Sequence, residues 1–104
     1  MRKFLFTSIF MMFITPFSFS CNVTSAWEPW TPYQFEQEGK VTGLDNDLVL
    51  AIAEKAGCEV EFVKRPWKRA LEEIKSGITI LAPGASINAE REEYAMFSLP
   101  YRQE

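Results

Sequence analysis

Helix-period and strand-period segments alternate along this chain, and that alternation restricts it to few architectures. Leu44, Leu48, Ile52 and Ala56 fall on one stripe, with Val49 and Ala53 beside it. A helix is therefore predicted from a cap at Asp45 or Asn46 to about Ala56, with Gly57 at its end. Residues 58–63 alternate with period two, as a half-buried strand does. After Pro66, the positions Trp67, Ala70, Leu71 and Ile74 are spaced as the apolar face of a second helix, stopped by Ser76 and Gly77. Residues 78–82 are an apolar run of the kind a strand shows when it is covered on both faces. Upstream, Pro29 and Pro32 bar a helix, so residues 28–35 read as a strand leading into an extended loop. A turn or short helix at 88–93 and a strand-like stretch at 94–98 follow. The order β-α-β-α-β predicts an α/β fold, a mostly parallel sheet flanked by helices with right-handed crossovers.

The first residues have a different character. Arg2 and Lys3 precede an apolar run over 4–14, broken only by Thr7 and Ser8, and then Pro16 and small or polar residues up to Ala26. This is the layout of a secretory signal peptide, and the run is shorter than the ~20 apolar residues of a membrane span. The expected division is a signal peptide over 1–26 and one domain over 27–104. Cutting after Ser20 instead would leave Cys21 first, as in a lipoprotein, an arrangement that Ser18 and Phe19 fit poorly. The remaining domain carries 9 basic against 14 acidic side chains, a net charge of −5. An acidic chain is a poor binder of nucleic acid or anionic membrane. The chain has no His, which removes Ser-His-Asp, Cys-His and ordinary zinc-site chemistry, so neither metal nor cofactor is expected. Of the two cysteines, Cys58 reads as a small buried hydrophobe at a strand start. No spacing rule supports a Cys21–Cys58 disulfide, which requires that Cys21 survive unlipidated.

Ligands of open α/β sheets bind beyond the carboxyl ends of the strands. Trp30, the Arg65-Pro66-Trp67 junction and the Gly84 to Arg91 loop each follow a predicted strand, so three segments converge on one sheet edge. The loop after Pro83 offers Gly84, the hydroxyl of Ser86 and the guanidinium of Arg91, a donor set suited to a carboxylate. Trp30 and Trp67 can wall it. The implied ligand is a small anionic or zwitterionic solute.

Five segments, in order, carry a resemblance: Trp30-Thr31-Pro32-Tyr33-Gln34-Phe35, Gly43-Leu44-Asp45-Asn46-Asp47-Leu48, Pro66-Trp67-Lys68-Arg69-Ala70-Leu71, the stretch from Gly84 through Ser86 to Arg91, and Phe97-Ser98-Leu99-Pro100-Tyr101. Together they resemble the extracytoplasmic solute-binding proteins of bacterial ABC transporters, in the polar amino-acid-binding family (family 3). The resemblance implies a type II periplasmic-binding-protein-like fold of two lobes, of which this sequence covers the first. It implies no catalysis, a small polar amino-acid-like solute, a membrane permease as partner, a periplasmic location and a monomer. Arg91 matches the Arg that pairs with the ligand carboxylate, Ser86 the hydroxyl beside it, Gly84 a backbone contact, and Trp30 and Trp67 the flanking aromatics. Departures are Thr79 near a usual Asp, and Pro83 where a small residue is more common. Because the sequence stops at Glu104, a truncated copy is expected, with an unpaired sheet edge, poor solubility and weak affinity.

Structural readings stand beside these. Arg91 lies in an acidic run, Glu90-Arg91-Glu92-Glu93, where a loose surface pair contributes about 0–1 kcal/mol. Trp67 can be a core residue of its helix. Asp45 and Asp47 read as helix-start carboxylates rather than catalytic ones. Lys64, Arg65, Lys68 and Arg69 read as a solvated face, or else Arg65 or Arg69 faces the cleft and favours acidic solutes. The alternative functions are a sensor domain of a histidine kinase and a lobe related to periplasmic dehydratases or lytic transglycosylases. A dehydratase needs acid–base groups at the cleft, and no carboxylate is evident at a strand end.

Overall fold

A computed structural model describes residues 20–103. Its first strand, β1 (Cys21–Trp27), runs parallel to a later one, β4 (Cys58–Lys64), in register from Cys21 opposite Cys58 to Trp27 opposite Lys64. On the other side of β1, Leu81 donates its N–H to the Thr24 carbonyl and accepts from the Ala26 N–H, both at 2.9 Å. β1 is thus the central element, with β4 at one edge and the 78–82 segment at the other. Between β1 and β4 lie a hairpin, β2 (Phe35–Gln37) with β3 (Lys40–Thr42), and the helix α1 (Leu44–Ala56). After β4 come α2 (Trp67–Ser76) and the short α3 (Ala89–Glu92). The parallel α/β architecture matches the sequence expectation.

The central strand begins inside the segment expected to be a signal peptide. Residues 21–26, read as a cleavage zone, belong to β1, and Ser25, Ala26 and Trp27 are buried there. Small residues suit a strand with a neighbour on each side as well as they suit a signal peptidase. The earlier part of the expected signal peptide, 1–19, lies outside the described residues. Cys21 and Cys58 form a disulfide at the foot of this strand pair, so Cys58 is not a lone apolar residue. In this arrangement the Cys21 sulfur is bonded to that of Cys58.

The start of α1 differs from a side-chain-capped helix. Its cap residue is Gly43, and the N–H groups of Leu44 and Asp45 donate to the carbonyls of Pro32 and Tyr33 at 3.1 and 3.0 Å. The loop at 30–34 therefore satisfies the orphan donors of the first turn. A Cβ on Gly43 would stand 2.3 Å from the Tyr33 carbonyl oxygen, so this crossing requires glycine. Asp45, relieved of capping, points inward and is fully buried, as is Asn46, whose side chain donates to the Thr42 carbonyl at 3.0 Å. The buried residues of α1 are Asp45, Asn46 and Ala53, Leu48 and Val49 are half-buried, and Leu44 and Ile52 of the expected stripe remain 64% and 59% exposed.

The second helix keeps its predicted limits and buries Ala70 and Glu73. The Glu73 carboxylate accepts from the Thr79 hydroxyl at 2.7 Å and from Arg65 and Arg69 at 3.0 and 3.2 Å. The Thr79 hydrogen bond, with the two guanidinium groups, holds the Glu73 carboxyl below its ordinary range against the opposing effect of burial. Arg65 and Arg69 are therefore engaged with Glu73 rather than with the cleft. The 78–82 run is not covered on both faces: Thr79 is buried, while Ile78 and Ile80 are 67% and 56% exposed. The stretch 94–98 has no regular structure.

The disulfide closes a 37-residue separation, worth about 4 kcal/mol in chain-entropy terms. Cys58→Ser is expected to lower unfolding stability in urea by about 2–4 kcal/mol. A reductant should have the same effect on the wild type and none on the variant.

Candidate functional site

Beyond the carboxyl ends of β1 and β4 lies a hollow of about 360 Å³ whose walls include Trp30, Trp67, Gly84, Ser86 and Arg91. All five residues singled out from the sequence share this one cavity. Two further polar residues, Glu28 and Gln34, also line it.

Arg91 is positioned locally. Asn88 caps α3 by accepting the Arg91 N–H at 2.8 Å, and the Arg91 guanidinium donates to the Ser86 carbonyl at 2.8 Å. Its central carbon lies 5.7 Å from the centre of the Trp67 ring, a cation–π placement. A guanidinium has five N–H donors in a planar fork, so the bond to Ser86 leaves donors for an anion. Arg91 is half-buried rather than a solvated member of its acidic run.

The hollow is assembled by Gln34, which is buried. Its Oε1 accepts the Glu28 N–H at 3.2 Å, and its Nε2 donates to the Pro83 carbonyl at 3.0 Å and to Asp45 Oδ2 at 3.1 Å. One amide thus joins the end of β1, the loop before Gly84 and the start of α1. The other oxygen of Asp45, Oδ1, accepts from the Tyr101 hydroxyl at 2.9 Å and from the Arg102 guanidinium. Arg102 in turn lies 3.8 Å from the Tyr33 ring centre and 4.9 Å from that of Trp30. Trp30 also meets Tyr33 with ring centres 4.8 Å apart. Gly84 has φ 85°, and a Cβ there would sit 3.0 Å from Asp45 Oδ2 and 3.2 Å from the Trp30 ring. The loop can approach this network only as glycine. Burial, then the hydrogen bond to the Asp45 carboxylate, pushes the Tyr101 hydroxyl up to about 12, although Arg102 and a Gly84 backbone contact pull the other way.

Glu28 follows Trp27 directly at the end of β1, and its Oε2 accepts the Trp67 N–H at 3.1 Å. It therefore supplies the side-chain cap that Pro66 does not. Here is the strand-end carboxylate that the sequence reading did not find. With Trp27 taken as the first residue of the domain, no strand end was visible at Glu28. Gln34 gave no signal either, because its partners are 6, 11 and 49 residues away.

A parallel α/β lobe with a loop-lined hollow at its strand ends is the architecture of a type II periplasmic binding protein. The chain belongs to the bacterial extracellular solute-binding proteins, family 3, which it matches over residues 23–104. It is 36% identical over 73 residues to a probable histidine-binding protein of Campylobacter jejuni, covering 69% of this chain and 28% of that protein. It is 31% identical over 74 residues to a cyclohexadienyl dehydratase of Pseudomonas aeruginosa, with the same coverage, 69% and 28%. Among solved structures, an ancestral cyclohexadienyl dehydratase superposes with a TM-score of 0.68 at 26% identity, covering 80% of this chain and 35% of that one. The chain thus spans 28% of the length of these two curated relatives.

Breaking a buried ion pair by removing one charge costs about 3–5 kcal/mol. Asp45→Asn is expected to destabilise the fold by about 3 kcal/mol, the low end, because the Arg102 side chain keeps 18% exposure. In the same variant the Tyr101 hydroxyl should ionise at lower pH than its wild-type value of about 12, read by phenolate absorbance.

Proposed function

We propose that this chain forms the solute-holding lobe of an exported component of an ABC-type importer, taking an amino acid or a related small polar solute, and that it binds without catalysing a reaction. The observation that carries this reading is the meeting of Arg91, Ser86 and Gly84 with two indoles in one hollow. Arg91 takes the solute carboxylate through its fork, Gly84 and Ser86 add donors, and Trp30 and Trp67 pack on the remainder. Kinship with a probable histidine-binding protein supports an amino acid as ligand. A disulfide is at home in an oxidising compartment, which supports a periplasmic site of action. In the working transporter, a membrane permease would receive the loaded protein.

A second reading is enzymatic, favoured by the kinship with a cyclohexadienyl dehydratase and by a carboxylate, Glu28, in the hollow. Glu28 is engaged with the Trp67 N–H, and the chain has no His to complete an acid–base pair, so binding is the better supported of the two.

Calorimetric titration with a panel of L-amino acids decides between them. Saturable binding is expected, weakened at least about tenfold by Arg91→Ala because a charge-assisted pair is lost. Unchanged binding in that variant, or turnover of a cyclohexadienyl substrate, would contradict the binding reading.

A further inference from the structure

Both indoles that wall the hollow already carry a cation of the protein. The Arg91 guanidinium lies over Trp67, and Arg91 lines the hollow itself. The Arg102 guanidinium lies 4.9 Å from the centre of the Trp30 ring. Trp30 lines this hollow, whereas Arg102 lines the neighbouring one of about 250 Å³, together with Gly84 and Tyr101. Arg102 therefore approaches the Trp30 ring from behind the wall. It is fixed there by Asp45 and by the Tyr33 ring, 3.8 Å from its central carbon. We propose that Arg102 is a positioning residue that sets the specificity of the hollow through Trp30, turning it against solutes with a cationic side chain and toward neutral ones of the same shape. This rests on the amino-acid reading above and adds to it the class of side chain the hollow takes.

An indole attracts a cation because its ring faces are negative. A guanidinium against one face draws on that potential, so a second cation at the other face meets a weakened ring and the charge of the first. Trp67 offers no better seat, because Arg91 already stands over it inside the hollow. Glu28 is the carboxylate of this lining, and it is balanced by Arg91 and engaged with the Trp67 N–H. Asp45 cancels the Arg102 charge at longer range, which confines the effect to the rings that Arg102 touches. A neutral side chain packs on either indole by area and shape, which a cation behind the ring leaves intact. Packing alone does not call for Arg102, since an apolar residue would cover Tyr33 and Trp30 without a charge that needs a buried partner.

The test is an amide NMR titration of the full chain with two matched pairs, L-arginine beside L-citrulline and L-lysine beside L-6-hydroxynorleucine. Within each pair the shape is kept and only the side-chain charge differs. Wild type should bind the neutral member about fivefold more tightly, the scale of one cation–π contact. Arg102→Met, which keeps apolar packing against the rings, should erase that preference by strengthening the cationic member. A merely structural loss would change both members alike and leave their ratio in place. Equal affinities or a preference for the cationic member in wild type, or an unchanged ratio in Arg102→Met, overturn the role of Arg102. If Arg91→Ala then still weakens all four compounds, the amino-acid reading stands and only the role of Arg102 falls. If none of the four shifts a wild-type resonance, the role of Arg102 falls, and the amino-acid reading falls with it if no other L-amino acid does so. The wild-type ratio needs no substitution, so it decides the point even if the variant does not fold.

Discussion

The buried carboxylate of Asp45 and the amide of Gln34 form the contact on which the candidate site depends. Between them they bind the backbone of Glu28 and Pro83 and the side chains of Tyr101 and Arg102. None of these segments has extensive secondary structure of its own near the hollow. Loops without an internal ladder keep one geometry only if their polar groups are paired elsewhere, and here one buried pair does much of that pairing. The arrangement explains why Gly84 must be small, since a side chain would enter the same network. It also explains why Trp30, 42% exposed, can still form a fixed wall: Tyr33 and Arg102 hold its ring.

The sheet supplies the platform. β1 pairs with β4 along its whole length and with Leu81 at one bridge, and the disulfide anchors the end of the pair opposite the hollow. Parallel strands deliver their carboxyl ends to one side, so the residues that follow Trp27 and Lys64 arrive together. Glu28 and Trp67, 39 residues apart, meet there by a direct hydrogen bond. Function in this architecture is a matter of what the strand-end loops carry, and these carry opposite charges between indoles.

Much of this was legible in the sequence where the signal is local. The α2 pattern, the β4 alternation and the glycines that end both long helices are short-range features, and they stand as expected. Convergence of Trp30, Trp67 and the Gly84 to Arg91 loop followed from strand order alone. What was not legible is long-range. β1 resembles a cleavage zone because a buried strand and a peptidase site both favour small residues. Asp45 reads as a cap because nothing nearby announces Tyr101 or Arg102, 56 and 57 residues away. Leu44 and Ile52 of the expected α1 stripe are exposed for the same reason: a buried polar network, not the largest hydrophobes, orients that helix. Arg65 and Arg69 could not be kept from the cleft until Glu73 and Thr79 were seen to hold them.

The central claim is that an acid group of a small solute sits on Arg91 within the hollow. Side-chain Nε–Hε resonances of arginine report such contact directly. On titration with L-histidine, the Arg91 signal should shift and saturate together with the indole signals of Trp30 and Trp67, while those of Arg65 and Arg69, committed to Glu73, stay in place. A saturating shift at Arg65 or Arg69 with Arg91 unmoved would contradict the account.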